Sequence, residues 1–342
     1  MSPPAEEADW LPMGDVDGGR VWVPEHYRNG VLVAGHWRRA ATRAAELEDD
    51  AREVRAVLQD ETRREELAPA PYLSTVTFTA GQNSALEQRL QAALASQRDL
   101  TTLDEIALAH SPTTRVEYGD FGGCNTVMLV QLQSGQRAYH KPISGMDEDL
   151  ADHFQLKHAG EQALHEVAAW RVAKAMGAPW RDLVAPTVLR DVDGDLGSMS
   201  LELPGRPPLI TDYNDTDGEV VRPDAWDAAG LFDAVIGNQD RHLGNVMHRS
   251  DGTPGLFDHG LAFRTPGDYV NESRILENRL RGNPELDPLE ITTLRSLRQD
   301  TTLGGAAELL SRGRVAALQA RVDHMLTTGK IYDNRRDYDP EE

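Results

Sequence analysis

The run Val235-Ile236-Gly237-Asn238-Gln239-Asp240-Arg241-His242-Leu243-Gly244-Asn245 constrains this chain more than any other. Trp226 to Ile236 has helical spacing of apolar residues, through Ala229, Leu231-Phe232 and Val235-Ile236. That helix delivers a tight polar loop. Downstream, Val246-Met247-His248 and Gly255-Leu256-Phe257 flank Arg249-Ser250-Asp251-Gly252-Thr253-Pro254, a hairpin signal. Asn245 therefore opens one short strand and Asp258 follows the next. Asn245 and Asp258 would then both face one site, next to the loop that carries Asp240.

Those residue types suit one chemistry. A carboxylate orients or deprotonates an attacking hydroxyl, while an amide oxygen and a second carboxylate hold magnesium against phosphates, as phosphoryl transfer from a nucleotide requires. A hydrogen-bonded polar turn without catalysis is the bland alternative, since Asn and Asp favour turns. The segment from Arg115 favours the first reading. Arg115 to Tyr118 reads as a strand, Gly119 to Thr126 as a glycine-containing turn, and Val127 to Leu132 as a second strand. After the turn Gln133–Gln136, a third strand, Arg137 to Pro142, carries Lys141. Two strands over a glycine turn, then a strand lysine, is the order of a nucleotide-binding lobe. In that turn Gly122 and Gly123 allow backbone amides to approach phosphates, with Asn125 beside them.

The helix expected from Gly160 to Met176 carries Glu166, which could pair with Lys141, and Glu161 competes for that role. Gly177-Ala178-Pro179 ends it. Val184 to Val192, a turn at Asp193-Gly194-Asp195, and Gly197 to Leu203 read as strand, turn and strand. The last segment, Ser200 to Gly205, would cross between two lobes and present the backbone of Glu202 and Leu203 to an adenine edge, or simply end as an edge strand at Pro204. Residues 206–224 read as loop and 285–328 as helical. The charged tail from 334 to 342 is expected to fray.

Residues 1–110 read as an accessory region, mostly helical and without recognisable chemistry. A small hairpin is expected within residues 1–40, an amphipathic helix over 41–67, a strand over 75–79, and helices over 84–98 and from Leu103 to Ala109. The formal net charge is −21, which argues against nucleic acid or anionic membrane as a dominant partner. The single cysteine, Cys124, excludes an internal disulfide or a cysteine-based zinc site. His110, His153, His158 and His165 lack metal-ligand spacing, and His248 reads as a strand residue. The start is acidic rather than basic-then-apolar, and no run is long enough to span a bilayer. These points make the cytoplasm the default compartment and leave export as an effector compatible.

The loop Gly237–Asn245 with Asp258-His259-Gly260 resembles the phosphatidylinositol 3-/4-kinase-like branch of the protein-kinase superfamily. That branch carries Asp-Arg-His-x-x-Asn in its catalytic loop and Asp-Phe-Gly or a variant at its metal site. HipA-like and Golgi casein-kinase-like groups are more distant relatives. The resemblance covers about residues 112–330. It implies an α+β, two-lobed protein-kinase-like fold, with a β-rich N-lobe and a helical C-lobe in residues 111–333. It also implies ATP and Mg2+ as cofactors. Asp240 would be the catalytic aspartate, with His242 beside the transferring phosphate. Lys141 would hold phosphates, and Asn245 and Asp258 would bind magnesium. His259 departs from the usual aromatic. Residues 261–270 contain only Arg264 as a basic group, so lipid specificity does not carry over. A protein hydroxyl is the first-ranked acceptor, a small molecule second and a lipid third. A nucleotide-binding pseudokinase and an AMP transferase are the rival activities. Oligomeric state is not legible.

Overall fold

In a computed structural model, the structure describes residues 20–23, 26–28, 31–33, 36–39, 84–95, 100–119, 125–146, 156, 158, 160–206, 221–238, 240–266 and 273–334. The helix expected over 41–67, the strand over 75–79, Gly122, Gly123 and the tail after Asn334 lie outside them. The chain divides into two compact units, Met1–Leu67 and Ala68–Glu342.

In the first unit, β1 (Arg20–Val23) pairs antiparallel with β4 (His36–Arg39), and β2 (His26–Arg28) with β3 (Val31–Val33).

The first described elements of the second unit are α1 (Ser84–Ala95) and α2 (Leu103–His110). Thr102 caps α2 in a reciprocal box with Glu105, which satisfies two otherwise orphaned amides. A five-stranded antiparallel sheet follows, built from β5 (Thr113–Gly119), β6 (Val127–Leu132), β7 (Arg137–Pro142), β8 (Thr187–Val192) and β9 (Asp195–Leu201), in the order β5-β6-β7-β9-β8. Between β7 and β8 lie α3 (Glu161–Met176) and the short α4 (Trp180–Leu183).

Strand alternation decides what each face of the sheet meets. Met128, Val130, Leu132, Ala138, Val188, Val192 and Met199 pack with Leu108 of α2 in one core. Leu189 and Leu196 point the other way, into a larger core with α3. Lys141 is paired in register with Ser198, and Ser198 with Leu189, so Lys141 belongs to the α3 face. The boundary expected at residue 110 thus falls inside this unit. Leu108 is fully buried beneath the sheet, and Leu86, Leu90 and Ala93 of α1 belong to the larger core.

The chain leaves β9 through residues 202–206, where Arg206 and His248 exchange backbone hydrogen bonds of 3.1 and 2.7 Å. It then enters α5 (Pro223–Ile236), the hairpin β10 (Val246–His248) and β11 (Pro254–Leu256), and α6 (Arg274–Gly282), α7 (Pro288–Gln299) and α8 (Arg312–Thr328). The architecture is α+β, an antiparallel sheet joined to a helical half. No helix among the described residues is long and apolar enough to cross a membrane.

Candidate active site

Proline at the first turn of α5 supplies a helix-compatible φ, and Gly237 ends the helix in the left-handed region at φ 59°. A Cβ at Gly237 would lie 2.7 Å from the guanidinium carbon of Arg321, so a side chain there would be strained at its φ and would have to displace that guanidinium. Beyond this cap the loop is held by a buried polar hub. Arg241 and Asp233 are both fully buried and form an ion pair at 3.2 Å. Arg241 Nη1 donates to the carbonyls of Asn245 (2.7 Å) and Phe257 (2.6 Å), tying the loop to the segment that leads into Asp258. Asn238 donates to Asp233 Oδ1 at 3.1 Å and accepts the Asp240 amide at 3.1 Å. Ser273 Oγ donates to Asp233 Oδ2 at 3.0 Å. Asn245 Nδ2 donates to the Asp240 carbonyl at 2.9 Å, which leaves the amide oxygen for another partner.

Lys141, Glu166 and Asp258 come together from β7, α3 and the turn after β11. Lys141 Nζ lies 2.8 Å from Glu166 Oε1 and 2.6 Å from Asp258 Oδ1. The second Glu166 oxygen accepts the His259 amide at 2.8 Å. Glu166, and not Glu161, is thus the partner of Lys141. Glu161 pairs with Arg89 of α1 at 2.5 Å and Arg314 of α8 at 3.8 Å. Burial alone would lower the Lys141 pKa, but the Asp258 and Glu166 carboxylates outweigh it and hold the ammonium above its ordinary value. Burial would raise Glu166, yet Lys141 and the His259 contacts pull its carboxyl far below the usual range. Asp258 sits at φ 57°, uncommon for a residue with a Cβ, and such outliers concentrate at functional sites. The cluster grades from closed to open: side-chain exposure is 2% for Glu166, 15% for Lys141 and 38% for Asp258.

Asp240 and His242 lie at the open end of the loop, 27% and 58% exposed, with His242 Nε2 4.0 Å from Asp240 Oδ2. His242 Nδ1 accepts the Gly244 amide at 3.0 Å, so in the neutral ring the proton resides on Nε2. Asn125 does not stand alone, since its Nδ2 donates to Gln162 Oε1 at 2.9 Å. Glu202 and Leu203 follow the last strand of the sheet. The Glu202 amide donates to the Arg137 carbonyl at 2.9 Å and so serves the sheet. Its carboxylate takes Arg137 Nε at 2.6 Å, and Leu203 is buried. His248 is a buried strand residue packed edge-on against Trp226.

Sequence reasoning missed Asp233, Gln162 and Arg241 as supports of the site. For Asp233 a signal existed: a carboxylate inside the apolar run Leu231 to Ile236 needs a buried partner, and Arg241 is the nearest downstream cation.

No family model matches the chain. The protein Rv2133c of Mycobacterium tuberculosis is 28% identical over 236 residues, covering 57% of this chain and 77% of that protein. Among solved structures, the chain is similar to the Golgi casein kinase, with TM-score 0.41 and 15% identity over 82% of this chain and 88% of that one. It is also similar to the Helicobacter pylori proinflammatory kinase CtkA, with TM-score 0.37 and 14% identity over 69% and 99% of the two chains.

Proposed function

We propose that this protein is an ATP-dependent kinase that transfers a phosphoryl group to a hydroxyl acceptor, with a protein hydroxyl ranked first. The observation that carries the reading is the convergence of Lys141, Glu166 and Asp258 within 2.8 Å contacts, beside a loop that presents Asp240 and Asn245. The donor set fits a magnesium-bound triphosphate. Asp258 and Asn245 offer oxygen atoms, which a hard cation takes. Among the described residues no three His, Cys, Asp or Glu form a metal cluster, so phosphate oxygens and water would complete the shell.

Magnesium-bound ATP supplies, when bound, the phosphoryl group and part of the charge neutralisation. Asn245 and Asp258 would hold the metal, and Lys141 the phosphates. Glu166 fixes the Lys141 ammonium and keeps it protonated. Asp240 takes the proton of the acceptor hydroxyl, and His242, with its proton on Nε2, donates a hydrogen bond on the same side. Arg241 and Asp233 hold both at fixed spacing from the Asp258 segment. A lipid acceptor ranks last. Arg264, the one basic residue in 261–270, is fully buried and donates to the Asn334 carbonyl, so it is not presented to a headgroup.

Turnover of γ-labelled and α-labelled ATP, with and without Asp240→Ala, tests the reading. Labelled γ-phosphate should reach protein and fall by about 10²–10⁴-fold in the variant. Transfer of α-label would identify an AMP transferase. Nucleotide binding without ADP release would identify a pseudokinase, and undiminished turnover in Asp240→Ala would remove Asp240 from the chemistry.

A further inference from the structure

Gln162, His165 and Glu166 stand at i, i+3 and i+4 on α3, and all three are buried. Together they meet the backbone that follows Asp258. Glu166 accepts the His259 amide, His165 Nδ1 lies 2.9 Å from the Gly260 carbonyl, and a Cβ on Gly260 would lie 3.2 Å from Gln162 Cβ. Gln162 adds a link that the other two lack. Its Oε1 accepts Asn125 Nδ2 at 2.9 Å, where the chain enters β6. That entry point is also pinned from below, because the Thr126 amide donates to the Gly145 carbonyl at 2.8 Å.

The other half of the Gln162 amide is unusual. Nε2 is buried and has no hydrogen-bond partner among the described residues. A buried unsatisfied donor opposes folding, whereas a methionine of the same length would fill the space without that penalty. Packing against Gly260 therefore does not account for an amide at this position, and the Asn125 bond does.

Resting on the kinase reading above, we infer that Gln162 is a positioning residue that couples Asn125, at the phosphate side of the sheet, to the Gly260 backbone and so to Asp258. Neither Asn125 nor Gln162 takes part in bond making. Their joint work is to hold the phosphate side of the sheet in register with the carboxylate that takes the metal.

A double-mutant cycle on the full chain reads this coupling. Asn125→Ala and Gln162→Met each remove the bond, and Gln162→Met retains the length that packs on Gly260. Each single variant should raise KM for magnesium-bound ATP about 10-fold with kcat within about threefold. The double variant should be no worse than the worse single one. A merely structural role would lower the unfolding midpoint without this non-additive KM effect. Gln162→Met should change that midpoint little, since removing the unsatisfied donor offsets the lost Asn125 bond. Multiplying losses, about 100-fold in the double variant, or an unchanged KM in Gln162→Met, would overturn the inference while leaving wild-type turnover intact. A wild-type protein that neither binds nor consumes ATP would instead overturn the kinase reading, and this inference with it.

Discussion

Lys141 is shared by two carboxylates that differ in their exposure. Glu166 is 2% exposed and already accepts the His259 amide, whereas Asp258 is open to solvent on one side. A cation taken by Asp258 would draw that carboxylate from the ammonium and leave Lys141 for phosphate oxygens, with Glu166 as its constant anchor. The same geometry predicts a stability effect separate from activity. Lys141→Met strands the buried Glu166 charge and should cost about 3 kcal/mol in urea unfolding, the scale for breaking a buried pair. Adding Glu166→Gln should recover part of that loss, because an amide tolerates the site without a cation. Equal stability of Lys141→Met and wild type would mean the pair is not held as described. At the opposite end of the site, the exposed His242 is fixed in tautomer by one backbone amide, not by burial.

At the scale of elements, α3 is the member that everything else orients. It is buried on almost every side, so its apolar stripe describes only part of its surface. Glu105 reaches it from α2 and accepts from Trp170 Nε1 at 2.9 Å and from Lys174 Nζ, while capping its own helix through Thr102. Glu105→Ala removes the box and both tethers, and should destabilise the protein by about 2–4 kcal/mol, read as a lower urea midpoint. A change below about 0.5 kcal/mol would show that α2 does not brace α3.

The same packing decides which elements are legible in the sequence. The strands Val127–Leu132 and Arg137–Pro142 were legible to the residue because one face is apolar and turns bound them. The loop at 237–245 was legible because Gly237 and the Asn and Asp residues have local reasons to be there. Buried polar residues were harder: Gln162 carries no periodic signal of burial and acquires meaning from Asn125 and Gly260, distant along the chain, whereas the signal at Asp233, a carboxylate inside an apolar run, was local. The apolar pattern over 285–328 hid the break between α7 and α8, where Asp300 takes the amides of Thr302 and Gly304 and turns the chain. Helices α1 and α2 resembled an accessory segment because Leu90 and Leu108 look alike whether they pack on each other or on the sheet.

For the molecule as a whole, buried imidazoles set the acid side of its stability. Burial, with Arg314 nearby, pushes His165 down to about 3, and burial likewise lowers His140 and His259. From about pH 6.5 down, the unfolded chain takes protons that the folded one refuses, so stability falls as pH falls, by up to about 1.4 kcal/mol per unit for His165 and in the same direction for His140 and His259. The depressed Glu166 acts in the same direction at lower pH, because its contribution is present above the ordinary carboxylate range and lost as pH falls through its folded value. Lys141, held above its ordinary value, loses its contribution only at high pH. Urea midpoints should therefore drop steadily from about pH 7 to about pH 5, and a flat profile would contradict the buried neutral state of these rings.

The central claim is that β7, the polar loop after α5 and the turn after β11 assemble one binding site for a magnesium-bound triphosphate. Calorimetric titration of ATP into the full chain, with magnesium and then with a chelator, tests it most directly. Binding that weakens at least about tenfold on magnesium removal, and to a similar extent in Asp258→Asn, is the predicted result. Absence of binding, or binding indifferent to both magnesium and Asp258, would contradict it.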